Sequence, residues 1–357
     1  MDKRIYLCLA HMSGKEQNFI KEAFDTNWVV PLGPNVNGFE EDLKQFVGGR
    51  NEVVVLSAGT AAVHLALIAC GVTPRGEVIV QSFTFCASSH PIAYLGAKPV
   101  FVDSEMDTWN MDPELLEIAI KDRIEKTGKK PKAIVPVYLY GMPAKIDEII
   151  AIAEKYDIPV IEDAAEGFGS KYNGQMCGTF GKYGVLSFNG NKMITTSGGG
   201  ALITPSANDK KEIMFYATQA REAYPYYQHE NIGYNYRMPN INAALGCAQL
   251  EHLDEFVASK RKVAQEYADF FKDIPDIDFF EEPEDSYSNY WLNVVIMKDK
   301  AAQYKFLEYT NDHGVMTRPI WELMNRLPMF EKYENDGLEN TIWFADRVVN
   351  IPSSVRL

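Results

Sequence analysis

The sequence lacks a cysteine framework. Its five cysteines (Cys8, Cys70, Cys86, Cys177 and Cys247) are odd in number and far apart, with no metal-ligand spacing. That argues against a disulfide-stapled or metal-binding protein and fits a reducing, cytoplasmic setting. Positive charge is also scarce: 35 Lys and Arg stand against 49 Asp and Glu, a net of −14. An acidic surface is a poor match to a phosphate backbone, so nucleic acid is not an expected partner; a nucleotide-sized anion in a local pocket stays possible. No apolar run is long enough to enter and span a bilayer. The run Ile5–Ala10 is too short for a signal-peptide core, and polar residues follow it. Repeats and low-complexity stretches are missing too.

What is present is an ordinary globular composition, 46% hydrophobic over 357 residues, which is enough for a large domain with a smaller lobe. From about residue 50 to 205, short apolar strands alternate with helical patterns. Strands are expected at Val53–Leu56, Val78–Phe85, Pro99–Asp103, Ala133–Tyr138 and Ile158–Asp163. Helices are expected at Ala61–Cys70, Pro113–Thr127 and Ile146–Tyr156. This order implies an α/β fold with a mostly parallel sheet covered by helices on both faces. One long helix is expected from about Asn242 to Phe271. A smaller α+β pattern follows: strand Trp291–Met297, helix Ala301–Asp312 and strand Val315–Arg318. The expected division is a large domain over 1–250 and a small one over 251–357.

Three segments carry candidate chemistry. Ser57-Ala58-Gly59-Thr60 joins a strand to a helix. Its small residues allow close backbone approach, and the helix amides and positive end favour an anion. It lacks the G-x-G-x-x-G pattern of a dinucleotide site. Asp163 ends an apolar strand, where ligand groups gather in doubly wound sheets. Lys192 lies among small and polar residues, with no acid within several positions and Gly198-Gly199-Gly200 just beyond. A lysine in a dry, tight pocket can act as an amine nucleophile toward an aldehyde. Taken singly, each segment also fits a capped helix start, a solvent carboxylate or an exposed loop lysine. Together they are the parts needed to hold pyridoxal phosphate: a phosphate cradle, a carboxylate for the pyridine nitrogen, and a lysine for the aldehyde. Phe85 is a candidate to stack on the ring, or plain core.

These residues sit in five motifs that run in order along the chain. They are Ser57–Leu67, Gln81–Phe85, Glu162–Gly169, the Lys192 stretch and Gly233–Met238. In them the sequence resembles the DegT/DnrJ/EryC1/StrS family of sugar aminotransferases, from about His11 to Pro352. The resemblance implies the type I pyridoxal-phosphate fold and pyridoxal 5'-phosphate as cofactor. It implies that Lys192 bonds to the cofactor and shuttles protons, and that Asp163 pairs with the pyridine nitrogen. It places Ala58, Gly59, Thr60 and Ser187 at the phosphate, Phe85 on the ring, and Glu166 near the ring hydroxyl, where many members have glutamine. It also implies a homodimer with shared sites, in which Asn235 reaches the neighbour's phosphate. No metal is implied.

Within the family, Asn189–Lys192, Thr195–Gly200, Thr218–Glu222 and Thr317–Trp321 are similar to the UDP-N-acetylbacillosamine-type 4-aminotransferases. That implies transfer of an amino group from L-glutamate to C4 of a UDP-4-keto-6-deoxy-N-acetylhexosamine. The alternative is a GDP-linked 4-keto sugar of the perosamine type. Asn189, Arg221, Tyr236, Arg237 and Arg318 are the candidates for substrate contacts, the arginines because a guanidinium fork matches phosphate oxygens. A pyridoxamine-dependent dehydratase on the same scaffold would replace Lys192. A non-catalytic binding protein would not need the whole cofactor set. Relatives usually continue past Leu357 into one more helix, so a naturally short or truncated end is expected.

Overall fold

The computed structural model describes residues 4–357. Its central sheet comprises β1 (Glu52–Leu56), β2 (Glu77–Gln81), β3 (Lys98–Val102), β4 (Ala133–Val135), β5 (Ile161–Asp163), β8 (Tyr183–Ser187) and β9 (Gly200–Thr204). Between β5 and β8 lies a small hairpin, β6 (Lys171–Tyr172) and β7 (Gln175–Met176), which β11 (Ser286–Tyr287) joins. Hydrogen-bonded ladders and the parallel bridges Ile134 to Val160 and Val137 to Asp163 give the strand order β1-β9-β8-β5-β4-β2-β3. Only β9 runs antiparallel to its neighbours in this sheet.

The strand sequences are apolar at successive positions because both faces are covered. Val53 and Val55 of β1 enter one core, with Val36 and Phe39 of α2 (Pro34–Phe46), Leu116 of α5 (Pro113–Thr127) and Ile149 of α6 (Ile146–Lys155). Val54 and Leu56 enter the other, with Val63 of α3 (Gly59–Ala69), Ile92 of α4 (His90–Tyr94) and Ile213 of α7 (Ala207–Ala217). A further helix, α1 (Glu16–Asp25), precedes α2. The expected α/β architecture with helices on both faces is therefore present.

Four expectations are corrected: the strand expected over Val315–Arg318 is Arg318–Pro319, the strand expected to reach Tyr138 ends at Val135, and two others differ as follows. The helix expected over Asn242–Phe271 is two helices, α8 (Asn240–Leu250) and α9 (Leu253–Phe271). His252 leaves helical geometry between them, at φ −112° and ψ 6°. Leu253 and Phe256 are buried beyond the break, so the apolar pattern runs through it. The strand expected to reach Phe85 stops at Gln81, and Phe85 opens a 3-10 turn over Cys86–Ser88.

The later part of the chain builds an antiparallel sheet, β10 (Ile277–Phe279), β12 (Asn293–Met297), β14 (Val348–Ile351) and β13 (Arg318–Pro319), in that order. Helices α10 (Lys300–Asp312) and α11 (Glu339–Ala345) accompany it. Ile5 bridges Val315, so the first described residues lie against this later part rather than with the large sheet. Trp291, Leu292 and Val294 share a core with the large sheet's strands, which brings the small sheet's approach segment up to the strand ends.

Candidate active site

One cavity of about 360 Å³ opens at the carboxyl ends of the parallel strands. β1 runs into Ser57 and Ala58, and α3 starts at Gly59 with no side chain capping it. Its first-turn amides are thus left for a ligand, at the helix end that favours negative charge. β9 passes directly behind this turn. A methyl group on Gly200 would lie 2.6 Å from the Ala58 carbonyl carbon and 2.7 Å from the Leu186 oxygen, so only glycine fits. Ser187, at the end of β8, lies beside the helix start: a β-carbon on Gly59 would meet Ser187 Cβ at 3.2 Å.

β5 delivers two adjacent carboxyls to different surroundings. Glu162 is fully buried in structure. It accepts the amides of Gly178 at 2.8 Å and Phe180 at 2.7 Å, a third from Gly181, and the Tyr138 hydroxyl. Asp163 lines the cavity, with the Ser88 hydroxyl donating to Oδ2 at 2.6 Å and the Ala165 amide to Oδ1 at 3.2 Å. Burial pushes the Asp163 carboxyl up, while Ser88, Ala165 and the Lys192 charge pull it back. A cationic ring nitrogen is the partner such a group lacks.

Lys192 comes from the loop between β8 and β9. Its Nζ lies 3.2 Å from Glu166 Oε1 and 3.7 Å from the centre of the Trp291 ring. The acid missing near Lys192 in sequence is therefore supplied in space. Glu166 is held by the Tyr140 amide, 2.7 Å from Oε2. Burial raises its carboxyl, and Lys192 is the main group opposing that. Phe85 is 44% exposed at the cavity and packs 5.2 Å from Trp321, ring centre to ring centre. Asn189 lines the cavity three residues before Lys192, and its carbonyl accepts the Lys192 amide at 3.0 Å.

Ala58, Gly59, Thr60, Phe85, Asp163, Glu166, Ser187, Asn189 and Lys192 thus converge on one cavity. Asn235, Arg221, Tyr236, Arg237 and Arg318 do not line it. The Tyr236 carbonyl accepts the Ser57 amide at 2.7 Å, and Arg237 bridges Leu56, so this segment backs onto the phosphate turn. The Tyr236 hydroxyl meets His64 Nδ1 at 3.2 Å. Asn235 is exposed and bridges Thr218. Arg221 lies over the Tyr227 ring, and Arg318 is exposed on β13. Among the described residues, none of these three arginines pairs with a carboxylate. Sequence reading missed Ser88, Trp291 and the cavity role of Trp321. No local pattern signals a residue whose partner lies dozens of positions away.

The residues fit pyridoxal phosphate: a buried carboxylate, uncapped helix amides and a lysine face the same space. The DegT/DnrJ/EryC1/StrS aminotransferase family model matches residues 11–357. EpsN of Bacillus subtilis, a provisionally assigned pyridoxal phosphate-dependent aminotransferase, is 45% identical over 331 residues, 93% of this chain and 85% of EpsN. A GDP-perosamine synthase of Escherichia coli O157:H7 is 35% identical over 96% of this chain and 91% of its own. A crystal structure of a DegT DnrJ EryC1 StrS aminotransferase from Brucella abortus superposes with a TM-score of 0.89. It is 29% identical, and the match covers 95% of this chain and 90% of that one. The chain belongs to the DegT/DnrJ/EryC1/StrS aminotransferase family, and its cofactor is pyridoxal phosphate.

Proposed function

We propose that the protein moves an amino group from L-glutamate to the C4 ketone of a UDP-linked 4-keto-6-deoxy-N-acetylhexosamine, to make a 4-amino sugar for glycan synthesis. The observation that carries the aminotransferase part is the meeting of Lys192, Asp163 and the uncapped start of α3 in one cavity. When bound, pyridoxal phosphate supplies an aldehyde that takes up amines and a ring that accepts electrons. The protein's residues do the rest. The amides at Gly59 and Thr60 and the hydroxyls of Thr60 and Ser187 hold phosphate. Asp163, steadied by Ser88, holds a proton on the ring nitrogen. Lys192 Nζ takes a proton from one carbon and returns it to another. Phe85 and Trp321 wall the cavity against water.

The sugar assignment rests on Asn189 and on three arginines. An amide at the cavity suits a neutral hydroxyl or acetamido group. Arg221, Arg237 and Arg318 pair with no carboxylate among the described residues, and we assign them to a diphosphate. The same reading includes a homodimer. Asn235 does not line its own chain's cavity, and the segment that carries it exposes Tyr224, Tyr226, Tyr227 and Ile232. We place Asn235 at the partner subunit's phosphate. The cysteines are all free, which agrees with a cytoplasmic location, and no helix among the described residues is long and apolar enough to cross a membrane.

A second reading, a GDP-linked 4-keto sugar as acceptor, is favoured by the whole-length likeness to GDP-perosamine synthase. A panel of nucleotide keto-sugars with L-glutamate as donor, read by mass spectrometry and NMR of the product, separates them. The highest kcat/KM with the UDP-linked 4-keto-N-acetyl sugar is expected. A much higher value for a GDP-linked or 3-keto sugar would leave the family and overturn the substrate.

A further inference from the structure

The lysine that bonds to the cofactor spends part of each cycle free, and the structure holds its ammonium group in a made place. Lys192 Nζ faces the Glu166 carboxylate at 3.2 Å on one side and the centre of the Trp291 ring at 3.7 Å on another. Trp291 is 2% exposed, so the contact is desolvated, where a cation over an indole face is strongest.

The two contacts are tied to each other. Asn289, itself buried, accepts the Trp291 amide on Oδ1 at 2.7 Å. Its side-chain nitrogen donates to the carbonyls of Glu166 at 2.7 Å and Phe168 at 2.9 Å. Trp291 also grips the loop that carries the lysine, through its indole N–H to the Asn191 carbonyl at 2.6 Å. From behind, the buried Lys260 donates to the Trp291 carbonyl at 3.1 Å. The ring is thus fixed by its amide, its carbonyl and its indole nitrogen.

We propose that Trp291, with Glu166, is a positioning residue that forms a resting site for the Lys192 ammonium while the lysine is not bonded to the cofactor. The inference rests on the aminotransferase reading and extends it to a residue from the small domain's approach segment. The carboxylate supplies charge and the indole face supplies attraction without a competing acceptor. Such a site keeps the proton that Nζ has taken within reach of the cavity rather than letting the long side chain carry it into solvent.

The test uses full-length holoenzyme and trace acetic anhydride at mildly alkaline pH, with acetylation of each lysine read by mass spectrometry before and after excess L-glutamate. Neutral amines react and ammonium groups do not. In the wild type, Lys192 is expected to resist before glutamate and to label slowly after it. Trp291→Leu should raise the label after glutamate roughly three- to tenfold, while Trp291→Phe, which keeps a ring face, should stay within about twofold of wild type. Equal labelling of wild type and Trp291→Leu, or a Phe variant that behaves as the Leu variant, would overturn the resting site. Should Trp291→Leu fail to fold, Glu166→Gln carries the same test: it keeps the shape and removes the charge, so the label should rise, and an unchanged label overturns the proposal. Wild-type Lys192 that labels before glutamate as fast as an exposed lysine would overturn the aminotransferase reading itself, and the resting site with it.

Discussion

The Ser88 hydroxyl donates to Asp163 Oδ2 at 2.6 Å across 75 residues of sequence. It is the leading group that offsets the effect of burial on that carboxyl. Asp163 already binds its proton more tightly than an ordinary aspartate, so removing the donor raises it further. At a given acidic pH, more of the enzyme then carries a neutral Asp163 that cannot pair with a ring cation. Ser88→Ala is expected to move the acid limb of the kcat/KM profile to higher pH and leave the alkaline side in place. A pH–rate profile checks this.

Neighbouring carboxyls on β5 should separate function from stability. Asp163→Asn is expected to fold normally and to lose about a hundredfold or more in the single-turnover rate with glutamate. Glu162→Ala strands the amides of Gly178, Phe180 and Gly181. It should cost about 3 kcal/mol or more in denaturant unfolding. Reversed outcomes would mean that the two side chains have exchanged roles.

Gly200→Ala probes the phosphate turn without touching a charged group. The added methyl meets the Ala58 carbonyl carbon and the Leu186 oxygen, so the start of α3 must shift. Overpacking of this kind typically costs about 1–3 kcal/mol, and a loss of roughly tenfold in cofactor affinity is expected. Titration of the cofactor-stripped protein with pyridoxal phosphate measures it.

Much of the sheet was legible because buried strands announce themselves as short apolar runs. The helix Pro113–Thr127 was legible to the residue, with Asp112 accepting the amides of Glu114 and Leu115 and Gly128 in left-handed geometry at its end. β8 and β9 were not among the expected strands, and the direction of β9 was not legible either, because apolar residues do not record which way a strand runs. Neither was the break at His252, where the buried face continues through the turn. At the site, Gly59 and Lys192 stood out by local composition. Trp291 looked like any core aromatic in a strand, and its meaning appears only when the fold sets it over Lys192 Nζ.

Variants at Arg237 and Asn235 are expected to separate sugar binding from cofactor retention. Arg237→Ala and Arg221→Ala are expected to raise KM for the sugar nucleotide while leaving the glutamate half-reaction largely intact. The size of the rise should approach the tenfold or more typical of a lost charge-assisted pair. Asn235→Ala should instead weaken cofactor retention, and sedimentation should find the wild type as a dimer. A fully active, cofactor-loaded monomer would remove Asn235 from the site.

The most direct measurement is borohydride reduction of the purified protein followed by peptide mass analysis. The cofactor's mass is expected on the peptide that carries Lys192, and it should vanish in Lys192→Ala together with transamination, while the fold persists by circular dichroism. Cofactor fixed on a different lysine, or full turnover by Lys192→Ala, would contradict the assignment.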